Sequence, residues 1–172
     1  MDSRKIRIAD YRALAEFRHR LRRFLRFSEE AARKAGLEPQ QHQLLLAVKG
    51  LPRGHKATIG VLAERLQIQH HSAVELVDRL VERGLVRRFR DPSDRRQVFV
   101  RLRPGGEKIL RELSIYHLAE LSVVGPDLVK VLKTLIGATT GERARSAEAA
   151  RRALVASLAG APKGSMAAPW RI

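Results

Sequence analysis

The stretch His70-His71-Ser72-Ala73-Val74-Glu75-Leu76-Val77-Asp78-Arg79-Leu80-Val81-Glu82-Arg83-Gly84-Leu85-Val86 changes its hydrophobic period at the glycine, and that change decides the fold. Before Gly84, the apolar residues Ala73, Leu76, Val77, Leu80 and Val81 recur at i, i+3, i+4, i+7 and i+8, the spacing of one buried face of a helix over residues 70–83. After it the period is two. Residues 85–90 are an extended run containing Phe89, and further on Val98, Val100 and Leu102 alternate with Phe99, Arg101 and Arg103. Asp91-Pro92-Ser93-Asp94-Arg95-Arg96 joins the two runs; Pro92 suits a turn, and its ring pushes Asp91 out of the helical region. The reading is an amphipathic helix followed at once by a β-hairpin.

Upstream, Thr58 is a natural N-cap for a short helix with Ile59, Leu62, Ala63 and Leu66 on one face, and Gln67-Ile68-Gln69 turns that helix into the next. Pro39 starts an earlier helix carrying Leu44, Leu45 and Val48, which stops at Gly50, and residues 51–56 form a loop with Pro52 and Gly54. Over residues 10–35, Leu14, Phe17, Leu21, Phe24, Ser28, Ala31 and Ala32 mark a long first helix ended by Gly36. Its other face carries Arg18, Arg20, Arg22, Arg23 and Arg26 and is expected to be solvated. Downstream of the hairpin, Pro104 opens a fifth helix with Ile109, Leu110, Leu113, Tyr116 and Leu121. Gly125-Pro126 is expected to break it before a sixth with Leu128, Val131, Leu132 and Leu135. Residues 142–158 keep a weak helical register, and the Gly, Ala, Pro and Ser mixture of residues 160–172, with Trp170, reads as a mobile tail. The fold class is mostly α with a small β wing: two short helices, a three-residue turn and a basic hairpin make a winged helix-turn-helix, with further helices on both sides.

Composition narrows the function. Of 172 residues 44% are hydrophobic, enough to bury a core, and the longest apolar run is Leu44 to Val48, far short of the ~20 residues of a membrane helix. A soluble, cytoplasmic protein with no membrane role is expected. There is no cysteine, which excludes disulfides, thiol redox sensing and thiolate metal sites. Lys and Arg number 34 against 18 Asp and Glu, a formal charge of +16 whose self-repulsion a polyanion would relieve, so nucleic acid is the expected partner. The surplus is concentrated: from Arg79 to Arg103 nine arginines face Glu82, Asp91 and Asp94, a local +6.

The buried stripe of the helix over residues 70–83 leaves His71, Ser72, Val74, Glu75, Asp78 and Arg79 pointing outward, the face a helix presents to base edges in a major groove. Gln69, His70, His71 and Ser72 lie at its start, where unpaired backbone N–H groups and the helix dipole attract phosphate. Catalytic patterns are missing: no G-x-S-x-G, phosphate-loop glycine pattern, H-E-x-x-H or calcium-loop spacing occurs, so the chain reads as a non-enzyme without cofactors. His117 and Glu120, one helical turn apart, would supply half a metal site that His42 could complete across the fold; satisfied or exposed histidines are the expected alternative, and no metal is assigned.

Asp94-Arg95-Arg96-Gln97-Val98-Phe99-Val100-Arg101-Leu102 resembles the wing signature D-x-R-x-x-x-V-x-L of the MarR (multiple antibiotic resistance regulator) family. Residues 76–86 resemble that family's L-V-D-R-L-x-x-x-G-L-V run, and residues 39–46 are similar to its second helix. The resemblance, over residues 10–136, implies residues 1–36 and 107–158 as parts of a helical dimerisation domain, residues 37–106 as the DNA-binding core and residues 159–172 as a tail. It implies a homodimer on a pseudo-palindromic operator in double-stranded DNA, acting as a repressor. The third helix would cross the backbone, the fourth would enter the major groove, and Arg95 at the wing tip would reach the minor groove. Asp94 and Arg96 would fix the wing through salt bridges or touch phosphate. The family often releases DNA when a small aromatic or phenolic effector binds between the dimer domain and the winged lobe; Tyr11, Phe17, Phe24 and Tyr116 are candidates for such a pocket and for core alike. Two features depart from the pattern. Arg103 replaces the Thr that caps the family's fifth helix, and Glu75 and Asp78 make the reading face acidic; Glu75 would accept from cytosine N4, and Asp78 is expected to pair with a nearby Arg. A sequence-tolerant nucleoid-type DNA binder and a winged-helix protein-interaction module are the alternative readings.

Overall fold

The computed structural model describes residues 6–90, 98–137, 148, 151 and 152. The elements in chain order are α1 (Ile8–Lys34), α2 (Pro39–Lys49), α3 (Ile59–Leu66), α4 (His70–Glu82), β1 (Val86–Arg90), β2 (Val98–Leu102) and α5 (Pro104–Gly137). The two strands pair antiparallel, so the period change at Gly84 translates directly into helix and hairpin. Two compact units result, one of Phe17–Leu128 and one of Met1–Glu16 with Val129–Ile172.

In the larger unit the core is built from the periodic positions. Leu44 and Leu45 of α2, Leu62 of α3, Val77 and Leu80 of α4, Val86 of β1 and Val100 of β2 are all fully buried. Local signals set the boundaries. Pro39 opens α2 with Glu38 as N-cap, and the Glu38 backbone N–H donates to Gln41 Oε1 at 3.1 Å in a capping box. Thr58 caps α3, its Oγ1 accepting from the Val61 N–H at 3.3 Å. Gln67 adopts a left-handed φ of 55°, which makes the turn into α4. Gly84, at φ 66°, closes α4 so that the Leu85 N–H returns to the Leu80 carbonyl at 2.9 Å and the chain enters β1.

The hairpin is held to the helices from two sides. Val86 pairs with Leu102, Arg88 with Val100 and Arg90 with Val98, placing these side chains on one sheet face, and Phe89 pairs with Phe99 on the other. The segment before α3 pairs with the hairpin's second strand: Thr58 bridges to Phe99, and the Val100 N–H donates to the Ala57 carbonyl at 2.9 Å. This corrects the expected alternation, because Phe99 is buried as well as Val100; the segment lies along its edge and the Lys56 ammonium covers its ring 4.9 Å from the centroid.

Helix α5 begins at Pro104 despite the missing threonine. Proline at the first position has no N–H to satisfy, and the Arg103 N–H donates to the Leu85 carbonyl at 2.9 Å, pinning the helix start to the junction of α4 and β1. Gly106 makes this approach possible, since a Cβ there would lie 2.2 Å from the Leu85 carbonyl oxygen.

Three expectations are overturned. The fifth and sixth helices are a single α5 that passes through Pro126, because an internal proline forfeits one N–H bond and crowds one carbonyl, a local cost of about 3 kcal/mol that the rest of the helix absorbs. Leu14, Leu21, Val81 and Tyr116, assigned to buried stripes, are exposed, Tyr116 by 64%; helical periodicity marks an apolar face without saying what covers it. Tyr11 is likewise 56% exposed and not core. The expected helix over residues 142–158 lies outside the described residues except for helical Glu148, Arg151 and Arg152, and the tail with Trp170 lies outside them entirely. Among the described residues no helix is long and apolar enough to cross a membrane.

Candidate nucleic-acid interface

Helix α4 buries Ala73, Leu76, Val77 and Leu80 and turns its opposite side to solvent. Gln69 stands at the N-cap in an extended conformation and makes no capping hydrogen bond, so its side chain leaves the first-turn N–H groups to other acceptors. Gln69, His70 and His71 are exposed there, with Ser72 and Val74 half-buried behind them. Glu75 and Arg79 are exposed and form an ion pair of 3.5 Å along the helix. Asp78 pairs with Arg88 of β1, which names the arginine expected beside it. The candidate contacts from Gln69 to Arg79 are therefore gathered on one helix, while Asp94, Arg95 and Arg96 of the wing tip lie outside the described residues.

Arg88 was not singled out by sequence, although its register carried the signal. It shares a sheet face with buried Val86 and Val100, so its side chain is directed to the α4 side, where Asp78 meets it. On the other face Arg87 stands opposite Arg101, and Arg101 lies over the Phe89 ring, 4.2 Å from its centroid. Arg83, at the end of α4, donates to Gln41 Oε1 and to the Gly36 carbonyl, both at 2.7 Å. These bonds tie the end of α4 to α2 and to the turn before it, which fixes the direction in which the exposed face points.

Behind this face lies a buried histidine pair. His42 of α2 and His117 of α5 do meet across the fold, their ring centroids 4.8 Å apart, and Phe24 and Phe27 of α1 stand edge-on to His117 at 6.3 and 6.0 Å. Both Nε2 atoms are shielded from solvent and make no hydrogen bond, so the pair is buried rather than exposed, and of the two His117 is satisfied in part, through the Ser28 backbone. Among the described residues no set of three or more His, Asp or Glu is gathered to hold a metal. Burial pushes the His42 pKa down to about 4, with His117 adding to the effect; burial also lowers His117, opposed by its hydrogen bond to the Ser28 backbone.

A capped helix, a tight turn, a second helix with one exposed polar face and an antiparallel hairpin docked against both define a winged helix-turn-helix protein. The MarR family model matches residues 35–97 of this chain. An HTH-type transcriptional regulator of Bacillus subtilis, YsmB, is 39% identical over 56 residues, which is 33% of this chain and 38% of the length of YsmB. Two solved structures share the fold. AbsC, a MarR family transcriptional regulator from Streptomyces coelicolor, is 22% identical at a TM-score of 0.63, with 87% of this chain and 99% of that chain covered. A variant of Staphylococcus aureus MepR bound to an oligodeoxyribonucleotide is 19% identical at a TM-score of 0.52, covering 83% and 94%.

Proposed function

We propose that this chain is a transcriptional regulator that binds double-stranded DNA as a homodimer, with α4 in the major groove, α3 across the backbone and Arg95 at the wing tip in the adjacent minor groove. The observation that carries the reading is the solvent face of α4, oriented by Arg83 and flanked by the arginine-rich strands Val86–Arg90 and Val98–Leu102. The match of residues 35–97 to the MarR family model supports it, and the similar MepR variant is a DNA complex. A repressor that occupies a pseudo-palindromic operator is the form of regulation proposed. The homodimer is supported by apolar side chains left open in each unit: Ile115, Tyr116 and Leu118 in one, Leu14, Val129 and Ile136 in the other. Release by a small aromatic effector is supported by a groove of about 480 Å³ between α1 and α5, lined in part by Phe27, Leu113 and Tyr116. Phe27 also touches the histidine pair, whose two unpaired nitrogens would suit a polar group on such a ligand.

Selection of bound duplexes from a random pool, followed by titration over a range of salt, tests the reading. An enriched inverted repeat is expected, and with about 6 to 10 phosphates contacted the affinity falls about 10³ to 10⁵-fold between about 50 and 200 mM salt. Arg95→Ala weakens binding to every sequence, whereas changes at Ser72 or Glu75 alter base preference by about 1 to 3 kcal/mol. Strong binding with no enriched sequence favours the nucleoid-type reading, to which the +16 charge also points. A flat salt response contradicts both.

A further inference from the structure

The centre of the outward face of α4 is acidic. At about 100° per residue, the line opposite Ala73, Leu76, Val77 and Leu80 runs through His71, Glu75, Asp78 and Glu82. A chain of net charge +16 thus sets three carboxylates in the middle of the helix proposed to enter DNA, where each would face a polyanion. Two of them are held by arginines of the same surface, Glu75 by Arg79 and Asp78 by Arg88. The Asp78 and Arg88 side chains are 44% and 38% exposed, and solvent-exposed ion pairs contribute little to stability, so support of the fold does not account for them. What the arrangement does is occupy cations with an internal anion: a phosphate approaching Arg88 or Arg79 has to displace a carboxylate first.

We propose that Asp78, with Glu75, acts as a built-in competitor for phosphate that holds down sequence-independent DNA binding and so sets specificity. The proposal rests on the DNA-binding reading above. A protein with a large cationic surplus binds any duplex through phosphate contacts, and discrimination is the ratio of specific to non-specific affinity. A carboxylate beside each reading-face arginine lowers the second quantity for every sequence. It leaves the first intact only where a base edge, such as the amino group of cytosine, accepts the carboxylate as a partner.

The test compares wild type, Asp78→Asn, Asp78→Glu and the double variant Asp78→Asn/Arg88→Gln on a random-sequence duplex and on the duplex enriched by selection, each across a salt series. With Arg88 released to one further phosphate, Asp78→Asn should steepen the salt dependence on random duplex by about 0.9 in log–log slope. That slope corresponds to about fivefold tighter binding near physiological salt. Affinity for the enriched duplex should rise less, so the ratio between the two duplexes narrows. Asp78→Glu should keep the wild-type slope, and the double variant should return to it because the released cation is gone. A purely structural Asp78 would instead show equal weakening on both duplexes with no change of slope. If wild type binds duplexes and Asp78→Asn leaves slope and ratio unchanged or weakens binding throughout, this proposal falls while the DNA reading stands. If wild type binds no duplex, the DNA reading falls and takes the proposal with it.

Discussion

Acidification should destabilise this protein through His42 in a defined window. The imidazole is 3% exposed, its ring tilted 42° against that of His117, and its pKa is lowered from the usual 6.5 to about 4 by burial first and by its neighbour second. Phe24 and Phe27 from α1 lie edge-on to His117 and the Ser28 backbone is bonded to it, and none of these groups is a carboxylate that would stabilise a charged ring. Because the folded pKa lies below the unfolded one, the unfolded chain binds the proton first, and stability falls as pH drops below about 6.5 until the folded ring also protonates near 4. A shift of that size integrates to about 3 kcal/mol when complete, and about 2 kcal/mol is already lost at pH 5. Urea unfolding at fixed protein concentration, run from about pH 7.5 down to about pH 5, measures it, with His42→Phe as the reference that fills the site without titrating. Groups other than the neighbouring His117 affect both proteins alike, so the informative quantity is the difference in slope, which reports His42 together with its coupling to His117. Parallel pH profiles for wild type and His42→Phe would refute the assignment of a buried, neutral His42.

Three further outcomes follow from the packing. Leu80→Ala, which empties a fully buried position of α4, should lower unfolding stability by about 2 to 5 kcal/mol with an unchanged denaturant slope. Gly106→Ala places a methyl group 2.2 Å from the Leu85 carbonyl oxygen, so it should cost at least about 1 to 3 kcal/mol and loosen the start of α5, visible as faster amide exchange at Arg103. Thr58→Ala should cost about 1 kcal/mol in thermal or urea unfolding through the lost cap on α3, while Thr58→Ser keeps most of it.

Much of the winged core was legible because its signals are local. The stripe on α4, the stop at Gly84, the N-cap at Thr58 and the alternation around Val100 each depend on residues within a few positions of one another. The errors share a different character. Pro126 reads as a break when only local propensity is weighed, and a long helix carries it because the loss is confined to one turn. Phe99 has the parity of an outward residue and is buried only because residues distant in sequence, Lys56 to Thr58, fold along it. Tyr116 has the spacing of a core residue and is exposed because its own unit covers only part of it, at the edge of the groove between α1 and α5.

The candidate site divides in the same way. Which residues of α4 point outward, from Gln69 to Arg79, is a consequence of helical geometry and apolar spacing, so the chain's own order of residues determined it. Which charges neutralise one another, and which titratable rings lose water, are properties of non-local contact. Asp78 finds Arg88 only when β1 docks on α4, and His42 meets His117 only when α5 returns past α2. Periodicity in a sequence encodes a direction for each side chain, whereas ion pairing and desolvation depend on the distance to residues many positions away, and closing the chain into its tertiary structure is what supplies that distance.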